Sequence, residues 1–188
     1  MTGRFDIESL RQRLNPESSV QGSEKSDERL AAVAVIIDMN REGGSTLLIR
    51  RQDRAGDPWS GQVAFPGGHK SSSDQTLLDT AIREASEEVG IELRAHVTLG
   101  VLPLEYSHVR GILVTPFVFQ LKHDEPTRLS GEVAESFWLP LNDLSKNKST
   151  RSEVRVQDDT LHVDSYVVGD HVIWGLTFRI VNSLLKRA

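Results

Sequence analysis

Apolar residues along this chain change their period several times, and each change predicts an element. Phe5, Leu10 and Leu14 recur on roughly one side of a helix that Asn15 and Pro16 end. Residues 18–28 are polar and turn-rich and read as a connector, so the chain divides into an N-terminal helix with its connector, 1–29, and one domain, 30–188. The β-branched run from Ala32 to Ile37 predicts a buried strand, and Asn40–Gly44 a turn into a second strand over Thr46–Arg50. Strands are also expected over Val97–Leu104 and Ile112–Leu121, with Glu105–Gly111 as the loop between them. Ser130–Leu144 holds a short helical turn, and Arg151–Val168 reads as a hairpin around Asp158 and Asp159. Val172, Leu176, Ile180 and Leu184 predict a closing amphipathic helix over His171–Lys186.

Between the second strand and Val97 the period is helical, and the polar side is unusual. Leu78, Ala81, Ile82, Ala85 and Val89 form one apolar stripe, while Glu84, Glu87 and Glu88 gather on another side. Like charges at this spacing repel by roughly 0.2–0.5 kcal/mol per pair. Arg83 reaches Glu87 at i+4, which leaves Glu84 and Glu88 uncompensated. A hard divalent cation such as Mg²⁺ takes oxygen ligands of this kind, so the cluster reads as a metal site; the competing reading is a solvated acidic face. Ser73 or Asp74 is expected to N-cap the helix and Gly90 to end it as a C′ glycine. Gly67 and Gly68, just upstream, permit close backbone approach, so the Gly68 carbonyl can turn toward an ion.

Composition narrows the class. At 188 residues and 38% hydrophobic, the chain is long enough for one substantial core. A net charge of −5 argues against nucleic acid as a partner, because phosphate contacts need many Lys and Arg. Cysteine is absent, which excludes a disulfide framework and thiolate chemistry. No apolar run is long enough to span a bilayer and the N-terminus lacks a signal-like pattern, so no membrane partner and a cytoplasmic location are expected.

The stretch PGGHKSSSDQTLLDTAIREASEEVGI, from Pro66 to Ile91, resembles the Nudix box, with Gly68, Arg83, Glu84, Glu87, Glu88, Gly90 and Ile91 on the pattern. It departs from it in three ways. Asp74 stands for the first Glu, eight residues rather than seven precede Arg83, and Ala85 is small. The extra residue is expected ahead of the helix, a habit of the coenzyme A pyrophosphatase-like branch. LLIRR at Leu47–Arg51, GQVAFPGG at Gly61–Gly68 and IWGLTFRIV at Ile173–Val181 also resemble that branch, although AGDPWSGQ lacks the arginine its upstream signature carries.

The resemblance implies an α/β fold, a Nudix-type α/β/α sandwich with a mixed β-sheet. It implies a Mg²⁺-dependent, or Mn²⁺-dependent, pyrophosphohydrolase that cleaves a nucleoside diphosphate linked to another moiety, with coenzyme A or a derivative as leading substrate. Glu84, Glu87, Glu88 and the Gly68 carbonyl would hold the metal, and Arg83 would orient the carboxylates. Asp74 is explained equally by N-capping. Glu132, with Glu135 in reserve, matches the acidic residue that supplements the box as ligand or base; a solvated loop glutamate is the alternative. Alternation puts Arg50 and Arg51 on opposite faces, and Arg51, at the end of LLIRR, matches an arginine of the branch's upstream signature. Trp59 is either a surface on which a base stacks or a packing anchor beside Pro58. His108, alone in its loop, fits a bystander better than a base. The expected partner is a small nucleotide, and a homodimer is compatible with the chain. Rival functions are hydrolysis of ADP-ribose, a nucleotide sugar or a noncanonical nucleoside triphosphate, and a catalytically silent nucleotide-binding module.

Overall fold

The structure, a computed structural model, describes residues 5–20, 29–41, 43–54, 56, 60–107, 111–146, 149–156 and 159–188. Trp59, His108 and Asp158 lie outside the described residues. In chain order the elements are α1 (Ile7–Arg13), β1 (Arg29–Asp38), β2 (Ser45–Arg51), β3 (Val63–Ala64), β4 (Gly67–His69), α2 (Leu77–Val89), β5 (Val97–Val101), β6 (Glu105–Ser107) and β7 (Ile112–Gln120). There follow β8 (Val133–Pro140), α3 (Leu141–Lys146), β9 (Thr150–Val156), β10 (Asp159–Val168), β11 (His171–Trp174) and α4 (Gly175–Leu185).

β1 organises the fold because both of its faces are buried, which its nearly unbroken apolar run allows. It pairs in parallel with β7 and antiparallel with β2 and β4 in an eight-stranded mixed sheet. Ala32, Ala34 and Ile36 meet Ala81, Ala85 and Val89 of α2 in one core cluster. The alternate residues Val35 and Ile37 join Ile180, Val181 and Leu184 of α4 in a second. Helices thus cover both faces of the sheet, the α/β/α arrangement. Phe5 and Leu10, from the α1 segment, are buried in the α4-side cluster, and Asn15 bridges to Val101.

Three expectations need correction. Thr76, not Ser73 or Asp74, caps α2: its side chain accepts from the Asp79 N–H and Asp79 accepts from the Thr76 N–H, a reciprocal box that Asp completes in place of Glu. The closing helix starts at Gly175, because His171–Trp174 pairs antiparallel with Ser165–Val168; Val172 met the four-residue spacing by coincidence. Strand β5 ends at Val101, and Glu105–Ser107, expected as loop, pairs with β7 as β6. The hairpin read over Arg151–Val168 is present as β9 and β10, extended by β11 into a separate three-stranded sheet. Gly90 ends α2 with φ 70°, the left-handed geometry expected of a C′ glycine.

Leu10 is fully buried although it belongs to a helix of only seven residues. Leu10→Ala is therefore expected to cost about 3 kcal/mol, read as a lower urea midpoint at unchanged slope. A midpoint equal to wild type would show that α1 adds nothing to the core.

Candidate active site

Helix α2 runs unbroken through Arg83, Glu84, Glu87 and Glu88, so the extra residue is taken up before it, between Asp74 and the capping Thr76. With Asp79 serving the cap, Asp74 is left to meet Arg83. The Arg83 guanidinium donates from Nε to Asp74 Oδ1 at 3.0 Å and from Nη2 to Asp74 Oδ2 at 2.9 Å, a bidentate pair. Its Nη1 reaches Glu84 Oε1 at 2.8 Å and Glu87 Oε2 at 3.0 Å, and Nη2 also donates to the His69 carbonyl at 3.2 Å. Glu84 is therefore not left uncompensated, as the i+4 spacing suggested; one nitrogen lies between two carboxylates.

The pair settles the protonation of Asp74. Hydrogen bonding from Arg83, helped by the Ser71 N–H and the Thr80 hydroxyl, holds its carboxyl at about 2 against the opposing effect of burial. Arg83 is correspondingly raised, chiefly by its bonds to Asp74. Glu84 moves the other way, because loss of water outweighs its bond to Arg83. Glu88 is pushed up to about 7 by burial; the Gly67 N–H and the charge of Arg51 oppose the rise, and Glu84 and Glu132 add to it.

The two glycines of β4 are where helix meets sheet. The Gly67 N–H donates to Glu88 Oε2 at 2.9 Å. A Cβ on Gly67 would lie 2.4 Å from the Ala32 carbonyl oxygen, and one on Gly68 would lie 2.4 Å from Glu84 Oε1. Gly67 has backbone in the way of a side chain, whereas at Gly68 a side chain would displace the Glu84 carboxylate. The Glu84 and Glu88 carboxylates are thus held against β4, while Glu87 is more than half exposed. The donor set here is carboxylate and carbonyl oxygen, which suits a hard divalent cation.

The carboxylates of Glu84, Glu87 and Glu88, engaged by Arg83 and Gly67, are spread more widely than a single close trio. Among the described residues the three ligand atoms found within 4.8 Å of one another belong to His96, His123 and Glu125. That group lies at the opposite end of the central strands, where Gln120 pairs with Ile37, whereas β4 pairs with Ala31–Val33. His96 Nδ1 accepts the Lys122 N–H at 3.2 Å. In the neutral ring, which burial favours, Nε2 then carries the proton and offers no lone pair to a metal.

The other expected residues surround the box. Glu132 precedes β8, pairs with Arg54 at 3.3 Å and is close enough for its charge to act on Glu88. Glu135 is bound instead to Arg50 at 3.4 Å and His171 at 3.0 Å. Arg50 and Arg51 diverge: Arg50 pairs with Asp53 and Glu135, while Arg51 borders a cleft of about 570 Å³ together with Gly67 and Gly68. The cleft lies on the α4 face of the large sheet and is closed on its far side by β10, β11 and the start of α4. Trp174 lines it, a residue that sequence reasoning passed over inside a helix that proved to be a strand.

Asp74→Asn is expected to destabilise the protein by about 2 kcal/mol near neutral pH, from the lowering of its pKa. A lowered carboxyl contributes fully above its unfolded value of 3.8 and loses that contribution as pH falls through about 2. Urea midpoints of wild type and variant should therefore converge over that interval. A gap that persists below it would contradict the pair.

The chain has recognisable relatives. The NUDIX domain model matches residues 28–158. The chain is 36% identical over 161 residues to an uncharacterized Nudix hydrolase NudL of Photorhabdus laumondii, covering 82% of this chain and 83% of the relative. It is 34% identical over 157 residues to the NudL of Pectobacterium atrosepticum, covering 80% and 79%. Its fold is similar to a MutT/nudix family protein from Enterococcus faecalis, with a TM-score of 0.55 at 19% identity over 87% of this chain and 62% of that one. It is also similar to an Ap4A hydrolase from C. elegans, with a TM-score of 0.52 at 22% identity over 62% and 83%. The chain belongs to the Nudix hydrolase family and acts on pyrophosphate bonds.

Proposed function

We propose that the protein is a Mg²⁺-dependent pyrophosphohydrolase that cleaves the diphosphate of a nucleoside diphosphate linked to another moiety, with coenzyme A or a derivative as its leading substrate. The observation that carries this reading is the closure of Glu84 and Glu88 onto β4 at the rim of the cleft, braced by Arg83. The similarity of LLIRR, GQVAFPGG and IWGLTFRIV to the coenzyme A pyrophosphatase-like branch supports the choice of substrate.

Glu84, Glu87, Glu88 and the Gly68 carbonyl would hold the ion. When bound, it neutralises phosphate oxygens and lowers the pKa of water, and Mn²⁺ can substitute. Hydrolysis adds water across the P–O–P bridge: a new P–O bond forms, the bond to the bridging oxygen breaks, and the water proton must be taken up. Glu132, exposed beside Glu88, is the carboxylate that takes it. Arg51 meets the phosphates at the cleft edge. Arg83 fixes the orientation of Glu84 and Glu87.

Glu87→Gln and Glu88→Gln are each expected to lower kcat by about 100-fold or more with little change in melting temperature, because a glutamine at 88 still accepts the Gly67 N–H. Chelation of divalent ions should abolish hydrolysis and Mg²⁺ restore it. Mg²⁺-dependent product release that survives both substitutions would overturn the metal assignment. A panel of coenzyme A, ADP-ribose, dinucleoside polyphosphates and nucleoside triphosphates, with product analysis, tests the substrate.

A further inference from the structure

The box and the two strands beside it lie within residues 28–158, the part matched by the family-wide domain. One wall of the cleft does not. It comes from β10, β11 and the start of α4, all beyond residue 158. A wall outside the shared catalytic part can vary without disturbing the chemistry, which is where selection of the substrate's non-phosphate end is expected.

Trp174 is the larger of two planar side chains in that wall, the other being Phe178 at the start of α4. Its backbone is extended, at φ −141° and ψ 179°, and pairs with Ser165 on β10. Ser165 is itself buried and bonded to Ser152. Directly after it, Gly175 takes φ 61°, a left-handed turn that redirects the chain from strand into helix. Thr177, two residues further, donates to the Val63 carbonyl at 2.9 Å and ties the helix start to β3. The indole is therefore carried on backbone fixed from both sides, and its side chain is only half-buried.

Charge along the cleft sets its direction. The Gly67–Gly68 end has Arg51, and Glu88 and Glu84 meet these two glycines from α2, so the diphosphate belongs there. At the opposite wall Arg179 is already engaged by Glu105 at 2.7 Å and the Tyr106 carbonyl at 2.9 Å. Beside it, Val163, Trp174, Leu176 and Phe178 are apolar, and Asp164, exposed on β10, is acidic. This wall suits a neutral, flat group rather than a second phosphate.

We propose that Trp174 is the specificity-determining residue of the cleft and stacks on the nucleobase of the substrate. The proposal rests on the reading of the substrate as a nucleoside diphosphate derivative, and it assigns Trp174 to binding rather than to bond cleavage. A leucine at this position would serve an aliphatic group as well as the indole does; a base needs the aromatic face.

The test combines steady-state hydrolysis of a panel substrate with calorimetric binding of AMP, for wild type, Trp174→Phe, Trp174→Leu and Trp174→Ala. Leu and Ala are expected to raise KM and weaken AMP binding by about tenfold, as loss of a stacking partner does, with kcat within about twofold. Phe should restore both. Leu keeps the apolar bulk, so it reports on stacking even if Ala disturbs the β11–α4 junction. Leucine binding AMP as tightly as wild type, or a loss confined to kcat, would overturn the assignment. Trp174-dependent AMP binding without turnover of any diphosphate would uphold it and overturn the proposed activity instead.

Discussion

One guanidinium decides the geometry of this site. Arg83 projects from the middle of α2 and binds Asp74 in the loop before it, Glu84 and Glu87 on its own helix, and the His69 carbonyl at the end of β4. Without a cation inside the cluster, Glu84 and Glu87 would repel each other and Asp74 would be an unpaired carboxylate with little access to water. Arg83 thus joins loop, helix and strand, and it keeps two acidic side chains oriented before any substrate arrives. Glu88 depends on a different partner. Buried and bonded to the Gly67 N–H, it keeps a pKa near 7, the mark of a carboxylate that a further positive charge would stabilise.

The rest of the fold brings those groups to a surface. Because β1 is apolar on both faces, it can take α2 on one side and α4 on the other, and its pairing with β4 places Gly67 and Gly68 under the acidic face of α2. The glycines permit the contact from both directions, toward the Ala32 carbonyl and toward Glu84. The same strand borders the cleft, so the carboxylates and the cleft share one short segment of backbone.

Much of this was legible in the sequence, for identifiable reasons. The apolar stripe of α2 and the terminating Gly90 are local patterns, and the i, i+3, i+4 spacing of the glutamates follows directly from helix geometry. The cap was misread because Asp74 and Thr76 are both good capping residues, and the Asp79 that completes the box is a less familiar partner than Glu. His171–Trp174 was absorbed into a helix because one apolar residue happened to fall in phase, whereas strand pairing with Ser165–Val168 is a long-range fact that no window of sequence contains. The reach of Arg83 to both Asp74 and Glu84 was hidden for the same reason, since it depends on how the loop folds back. Trp174 stands in the IWGLTFRIV segment, but its place in the cleft depends on the second sheet closing over the first.

The central claim is that the acidic face of α2 and the β4 backbone form the ion site, with Arg83 holding its parts in place. The most direct test is a crystal soaked in Mn²⁺, with the ion located by its anomalous scattering. The account predicts manganese among the Glu84, Glu87 and Glu88 oxygens beside the Gly68 carbonyl. Manganese bound instead by His96, His123 and Glu125, with the α2 glutamates still resting on Arg83 and Gly67, would contradict it.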